Sequence, residues 1–210
     1  MSRVRVKICG ITRREDAEAA IRLGADAIGF VLWPKSPRAA AVEEAARIAT
    51  ILPPFVARVG VFVNPSLNEV NDAVTRIGLD VVQLHGDESP AAFRTVAARC
   101  MKATSLESDD DVRRVAAWAQ EIMPLVDSGD GERRGGTGRV ADWARAARVS
   151  FVRPIVLAGG LTAENVREAI AAVRPWAVDT SSGVEERPGV KSLERMERFF
   201  AAVAAGSEER

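Results

Sequence analysis

Two side chains with complementary acid–base chemistry stand where strand-like runs give way to loops. Cys9 ends the alternating run VRVKIC and precedes a glycine, whereas Asp127 ends the apolar run PLV and precedes Ser-Gly. A thiolate can accept a proton and a protonated carboxyl group can donate one, so Asp127 is the natural acid to pair with a Cys9 base. The alternatives are a cysteine that packs as a small hydrophobe and an aspartate that caps a loop or pairs with an arginine.

Lys7 shares a strand face with Cys9, because alternate residues of a strand point to the same side. A positive charge close to a thiol favours its thiolate form. We therefore expect Lys7 to lower the pKa of Cys9.

Strand-like runs and longer amphipathic segments alternate along the whole chain, which is typical of repeated βα units. Eight strands are predicted, at residues 4–9, 27–31, 57–63, 81–84, 101–103, 125–127, 155–158 and 177–180. Eight helices are predicted, at residues 14–23, 42–51, 67–77, 90–99, 110–120, 141–147, 163–173 and 192–204. Thr12 with Glu15 resembles a capping box, and Gly24 and Gly78 predict left-handed helix ends.

The polarity of alternate strand positions separates a closed (β/α)8 barrel from a long doubly wound sheet. Helices cover both faces of a doubly wound sheet, so all its strand positions should be apolar. Here polar residues recur at alternate positions of several strands, among them Gln83, Lys102, Asp127 and Asp179. A barrel accounts for them because its second face points inward. The predicted fold class is therefore α/β, a single-domain (β/α)8 barrel over residues 1–210, with eight parallel strands inside an outer layer of helices.

Several polar residues fall at the C-terminal ends of the predicted strands, where such barrels carry their active sites. They are Cys9, Gln83, His85, Asp127 and Asp179. We predict that Gln83, His85 and Asp179 contact the substrate beside the catalytic pair. A hydrogen-bonded structural histidine is the alternative for His85.

Two glycine-rich segments follow the seventh and eighth strands and together resemble a phosphate site. Their candidate residues are Gly159 and Gly160 in the first segment, and Ser182 and Gly183 in the second. Glycines expose backbone N–H groups, and the loops after strands seven and eight are the usual phosphate-binding loops of this fold. Gly136 lies in a third cluster, GGTG, which is either a lid, a further phosphate contact or a flexible surface loop.

Arg38 lies in the proline-bounded loop LWPKSPR after the second strand. A guanidinium group matches a carboxylate with two parallel hydrogen bonds, and Trp33 could form a wall of the pocket. The loop therefore predicts a contact with an aromatic carboxylate, and the alternative is a solvated basic loop with a packed tryptophan.

Composition limits the function classes. Lys plus Arg and Asp plus Glu both number 29, so no net charge favours nucleic acid or an anionic membrane. There is no signal-like apolar run at the N-terminus, and no segment approaches the roughly 18 unbroken apolar residues of a membrane span. We expect a cytoplasmic protein with a small-molecule phosphorylated substrate, no nucleic acid and no membrane. Two cysteines and one histidine predict neither a disulfide framework nor a metal site.

A combination of short motifs then resembles one known family. The motifs are VKICGIT, GFV-W-PKSPR, RVGVFVN, QLHGDE, LVDS with GGTG and DW, AGGLTAENV, and VDTSSGVE with PGVKS. They run from residue 7 to residue 191 and are similar to those of phosphoribosylanthranilate isomerase, the third-step enzyme of tryptophan synthesis from chorismate. The resemblance implies a TIM barrel without cofactor or metal, acting on N-(5'-phosphoribosyl)anthranilate.

Carried over to this sequence, the resemblance makes Cys9 the general base, Asp127 the general acid and Arg38 the contact for the anthranilate carboxylate. The reaction would be an Amadori rearrangement, in which Asp127 protonates the ring oxygen and Cys9 removes the proton at C2. The product would be 1-(2-carboxyphenylamino)-1-deoxyribulose 5-phosphate. This chemistry requires opposite protonation states in one pocket.

Two other functions remain as alternatives. Another phosphosugar-handling barrel enzyme would share only the phosphate loops; a metal-dependent epimerase would need histidine ligands beyond His85. A non-catalytic binder of phosphorylated ligands would have lost Cys9 or Asp127, and both are present. The sequence does not distinguish a monomer from a homodimer.

Overall fold

Eight parallel strands close into a barrel in their chain order, each paired with the strand that follows it and β8 with β1. The computed structural model of the chain describes residues 3–127 and 142–208. The strands are β1 Arg5–Cys9, β2 Ala27–Val31, β3 Ala57–Phe62, β4 Val81–Leu84, β5 Arg99–Thr104, β6 Ile122–Val126, β7 Val156–Leu157 and β8 Ala177–Thr180. The predicted barrel is confirmed.

Seven α-helices of the described residues surround the strands. They are α1 Arg14–Arg22, α2 Val42–Ala49, α3 Leu67–Ile77, α4 Asp109–Ala116, α5 Trp143–Val152, α6 Val166–Val173 and α7 Leu193–Glu208. A hairpin of β9 Glu185–Arg187 and β10 Val190–Lys191 follows the eighth strand, and the sequence did not predict it. None of the helices in the described part of the chain is long and apolar enough to cross a membrane.

The two faces of the strands have different partners. Outward residues such as Ile8, Ile28 and Phe30 are fully buried beneath the helices, and each such side chain contributes about 1.5–3 kcal/mol of transfer free energy. A smaller apolar cluster that includes Met101 and Leu125 fills part of the barrel interior. The barrel therefore has a packed interior, and its polar inward residues lie toward the strand ends.

Lys102 corrects the predicted strand polarity. It alternates with the inward residues Met101 and Ala103, so it lies on the outer face of β5, where its register partner is the buried Leu84. Its ammonium group donates to the carbonyl of Gly86 at 2.5 Å. Lys102 thus holds the loop after β4 and does not line the barrel interior.

The segment predicted as a helix over residues 90–99 is a single 3-10 turn, Pro90–Phe93, before β5 begins at Arg99. The amide of Val96 bonds to the carbonyl of Phe93, and both side chains are buried. A short connection that buries two apolar residues over the barrel takes the place of the helix. Proline suits such a first turn, so the start was predicted and the length was wrong.

The C-terminal end of α3 has the predicted conformation, whereas the N-terminal end of α1 does not. Gly78 has φ +72° and closes α3 in the left-handed conformation, as expected. The capping box of Thr12 with Glu15 is absent, because the helix N-cap is Arg13 without a side-chain cap. Thr12 instead donates its hydroxyl to the carbonyl of Gly189, 2.5 Å away, and so ties the loop after β1 to the hairpin.

Candidate active site

Lys7 and Asp179 form a buried ion pair inside the mouth of the barrel. The strands β1 and β8 pair in a register that places Lys7 opposite Asp179, and Lys7 Nζ lies 2.9 Å from Asp179 Oδ1. Burial alone would lower the pKa of Lys7, but Asp179 and Cys9 raise it above its ordinary value. Lys7 is therefore a cation at neutral pH, and its charge is opposed by the carboxylate of Asp179.

Cys9 lies next to this pair and is buried. Burial raises the pKa of its thiol, Asp179 raises it further, and the charge of Lys7 opposes both without reversing them. The expected downward pull of Lys7 is present, but the predicted net decrease is wrong for the free protein. The reason is first the burial of the thiol and then the carboxylate of Asp179, neither of which the sequence could show.

This balance predicts how the thiol should titrate. In a Cys100→Ser background, Lys7→Met should raise the pKa of Cys9, because the charge that lowers it most is lost. Asp179→Asn should lower the pKa, since a repelling carboxylate is removed. The measurement is ultraviolet absorbance of the thiolate against pH, which is clean here because the chain has no tyrosine. An unmoved pKa in both variants would show that Lys7 and Asp179 do not act on the thiol.

Gly29 provides the room for the thiol, and the sequence analysis did not single it out. Cys9 pairs with Gly29 across β1 and β2. A Cβ at Gly29 would lie 2.9 Å from Cys9 Sγ and 3.2 Å from Lys7 Cε. A glycine in the middle of a strand often marks such a close approach, which is the signal that could have found it.

His85 faces Asp127 and is oriented by Gln83. The Gln83 amide nitrogen lies 2.9 Å from His85 Nδ1, so the amide of Gln83 and the imidazole ring share a hydrogen bond that fixes the ring. His85 Nε2 lies 3.6 Å from Asp127 Oδ2. Burial lowers the pKa of His85 although Asp127 opposes the change, so the imidazole is neutral at neutral pH. The arrangement places the imidazole Nε2 beside the Asp127 carboxyl group.

Asp127 also lines a cleft with Asp179 and the two glycine-rich loops. Gly159 and Gly160 have φ +81° and +63°, values that favour glycine, and they open the loop before α6. The N–H groups of Gly160, Ser182 and Gly183 donate none of the hydrogen bonds formed among the described residues. These groups can therefore bind an anion in the cleft.

The two loops are packed directly on each other. A Cβ at Gly183 would lie 2.0 Å from the backbone oxygen of Leu161, and Thr180 donates its hydroxyl to that same oxygen at 2.8 Å. Only glycine permits this approach. Gly136, predicted as a further substrate contact, lies outside the described residues, and among the described ones no three His, Cys, Asp or Glu side chains group as metal ligands do.

Arg38 reaches the same mouth but already has a partner, which the sequence analysis did not predict. Glu185 accepts from Arg38 Nε at 3.0 Å and from Nη2 at 2.8 Å. Nη1 of Arg38 forms no hydrogen bond with the residues that the structure describes. One edge of the guanidinium group is thus fixed by the protein and the other remains for a ligand.

Comparison with known proteins identifies the family of this chain. The family model described as N-(5'-phosphoribosyl)anthranilate (PRA) isomerase matches residues 6–202. An N-(5'-phosphoribosyl)anthranilate isomerase of Pseudomonas putida strain W619 is 49% identical over 207 residues, covering 97% of this chain and 98% of that protein. The corresponding protein of Geobacter sulfurreducens is 48% identical over 202 residues, covering 94% and 97%.

Solved structures that resemble this chain belong to the same family. The crystal structure of phosphoribosyl anthranilate isomerase from Thermotoga maritima has a TM-score of 0.89 and 42% identity, covering 96% of this chain and 99% of that one. A second crystal structure of the isomerase, in complex with reduced 1-(o-carboxyphenylamino)-1-deoxyribulose 5-phosphate, has a TM-score of 0.85 and 41% identity, with the same coverage. The chain therefore belongs to the N-(5'-phosphoribosyl)anthranilate isomerase family.

Proposed function

We propose that this protein isomerises N-(5'-phosphoribosyl)anthranilate to 1-(2-carboxyphenylamino)-1-deoxyribulose 5-phosphate, with Asp127 as general acid and Cys9 as general base. The observation that carries the proposal is the cleft that Asp127 shares with Asp179 and both glycine-rich loops. It puts a proton donor beside a site suited to a phosphate. Cys9 is linked to the same cleft through Lys7, which contacts Asp179.

The first step opens the ribose ring. Asp127 gives its proton to the ring oxygen, the bond from that oxygen to C1 breaks, and the nitrogen lone pair forms a C=N bond to C1. The product of this step is a protonated Schiff base. Its positive charge makes the C2 proton more acidic.

The second step moves a proton from C2. Cys9 accepts it, the C–H electron pair forms the C1=C2 bond, and the electrons of the C=N bond return to nitrogen. The resulting enolamine becomes the ketone when the C2 hydroxyl loses its proton and C1 gains one. The cationic Schiff base also favours the thiolate, which burial disfavours in the free protein.

The phosphate end of the substrate is assigned to Gly159, Gly160, Ser182 and Gly183, which line the cleft. Backbone groups and glycine conformation suit a phosphate without a charged side chain. Gln83, His85 and Asp179 are assigned to the sugar and to the acid, because His85 faces Asp127 and Asp179 lines the cleft. Gly136 is kept as a proposed further contact.

The test is turnover of N-(5'-phosphoribosyl)anthranilate by the purified protein, followed by the loss of the substrate's fluorescence. The expected result is turnover without added metal or cofactor. An inactive parent protein would overturn the proposal and favour another phosphosugar enzyme or a non-catalytic binder. Binding of the substrate without turnover would favour the binder.

Arg38→Met is expected to raise the KM about 10- to 100-fold with a smaller change in kcat, because one hydrogen-bonded contact to a charged group contributes about 1.5–3 kcal/mol. The measurement is initial rate against substrate concentration. Arg47→Met is the matched control, since Arg47 is an exposed arginine of α2 that pairs with Glu44. A KM equal to that of the parent would remove Arg38 from the carboxylate site.

A further inference from the structure

Glu185 is a buried carboxylate between two cations, and no step of the proposed reaction uses it. Its side chain is 4% exposed. It accepts from Arg38 on one side and from Lys191 Nζ at 2.7 Å on the other. Burial would raise the pKa of Glu185, but hydrogen bonds and charge from Arg38 and Lys191 hold it below its ordinary value.

Lys191 anchors this carboxylate to the catalytic strand. Its side chain is fully buried, and besides Glu185 its ammonium group donates to the carbonyl of Cys9 at 2.6 Å and to the carbonyl of Ser181 at 3.2 Å. Glu185 is thereby fixed relative to both the end of β1 and the loop after β8. A side chain that binds the Glu185 carboxylate is therefore also fixed relative to β1 and to the loop after β8.

Arg38 is the group that Glu185 holds. The arginine side chain passes over Gly10, where a Cβ would lie 2.8 Å from Arg38 Cδ, so the glycine leaves the path open. Nε and Nη2 then bind the carboxylate, and Nη1 is turned away from it. A free arginine would lose rotamer entropy when it bound a ligand, whereas this one has already lost it.

We propose that Glu185 is the positioning residue that gives the enzyme its preference for a substrate with a carboxylate on the aromatic ring. Glu185 binds Nε and Nη2 of Arg38 and so fixes the guanidinium group with its Nη1 edge left to contact that carboxylate. The inference rests on the proposed function. It adds that the preference depends on a residue that does not touch the substrate. It also predicts that the enzyme loses its preference for the carboxylated substrate when the carboxylate of Glu185 is removed and Arg38 is kept.

A purely electrostatic effect of Glu185 would change the substrate preference in the opposite direction. Removing the charge of Glu185 would leave Arg38 and Lys191 unopposed, which would increase the attraction for an anionic substrate. If charge alone mattered, the preference for the carboxylate would therefore rise. The sign of the change separates positioning from charge.

The experiment compares two substrates, N-(5'-phosphoribosyl)anthranilate and N-(5'-phosphoribosyl)aniline, which lacks the carboxylate. The quantity measured is the ratio of kcat/KM for the first substrate to that for the second. This ratio is independent of the fraction of folded enzyme, so a poorly folding variant still gives a result. Glu185→Gln is expected to lower the ratio about tenfold or more, and Glu185→Asp, which keeps the charge but shortens the reach, should lower it as well.

Two controls complete the design. Glu186→Gln changes the exposed neighbouring glutamate and should leave the ratio at the parent value. In an Arg38→Met background, Glu185→Gln should cause no further change, because the two residues act through one contact. A ratio that is unchanged or increased in Glu185→Gln would overturn the inference while leaving the proposed function intact, whereas a parent that turns over neither substrate would overturn both.

Discussion

Replacing Cys9 with alanine is expected to lower kcat by about 10²- to 10⁴-fold, the usual contribution of a positioned general base. The KM should change little, because the thiol removes a proton in the transition state and is not assigned to binding. Alanine removes only a sulfur atom beside Gly29, so the barrel should remain folded. The measurement is the steady-state rate with N-(5'-phosphoribosyl)anthranilate together with the thermal unfolding midpoint.

The pH dependence of the parent should identify the same group. A base whose pKa is raised is less ionised at a given pH, so kcat/KM should increase with pH through the neutral range and above. Cys9→Ala should lose this increase. Cys100→Ser is the matched control, because Cys100 is a second thiol on β5 and has no role in the proposed reaction; burial raises its pKa to about 11. A Cys9→Ala variant with a parental rate and pH profile would exclude the thiol as base.

The barrel could be predicted from the sequence because its strands and helices have different periodicities and each is amphipathic. All eight strands were found at their predicted places, although β6 begins at Ile122, three residues before the prediction, and β7 is confined to Val156–Leu157. Residues at strand ends then had to meet at one mouth. Asp127 and Asp179 do line one cleft, and His85 faces Asp127.

Lys102 shows what polarity alone cannot decide. A lysine on a strand was predicted to point inward, yet it lies outside the barrel. Its ammonium group reaches the carbonyl of Gly86 in the loop after β4 and Glu88 Oε2 at 3.3 Å. A long aliphatic chain lets a lysine cross an apolar layer and place its charge at the edge. The polarity of a single residue therefore does not determine whether its side chain lies on the inner or the outer face of the barrel.

The ionisation of the site was beyond the sequence for a different reason. Lys7 and Cys9 are two residues apart, so their proximity was predictable, but Asp179 is 172 residues from Lys7 and its contact depends on the pairing of β1 with β8. The same holds for Glu185, which is 147 residues from Arg38. Spacing along the chain gives the neighbours within an element, whereas partners across elements need the register of the strands.

Replacing Asp127 with asparagine is expected to lower kcat by about 10²- to 10⁴-fold, because the amide has nearly the shape of the carboxyl group but no acidic proton for the ring oxygen. His85 Nε2 would still face a side-chain oxygen, so the local arrangement should persist. Asp72→Asn is the matched control, since Asp72 is an exposed aspartate of α3 paired with Arg76. That variant should keep the parental rate.

Binding of a stable ligand separates lost chemistry from lost structure in the Asp127→Asn protein. Reduced 1-(o-carboxyphenylamino)-1-deoxyribulose 5-phosphate, which was crystallised with a relative, carries the phosphate and the carboxylate but has no ring to open. Its Kd, measured by calorimetry, should differ between Asp127→Asn and the parent by less than about threefold, which corresponds to less than 1 kcal/mol. A large loss of affinity would assign Asp127 to binding, and an unchanged kcat would remove it as the acid. A low kcat with parental affinity is the result that the proposed proton transfer requires, because only the ring-opening step depends on that proton.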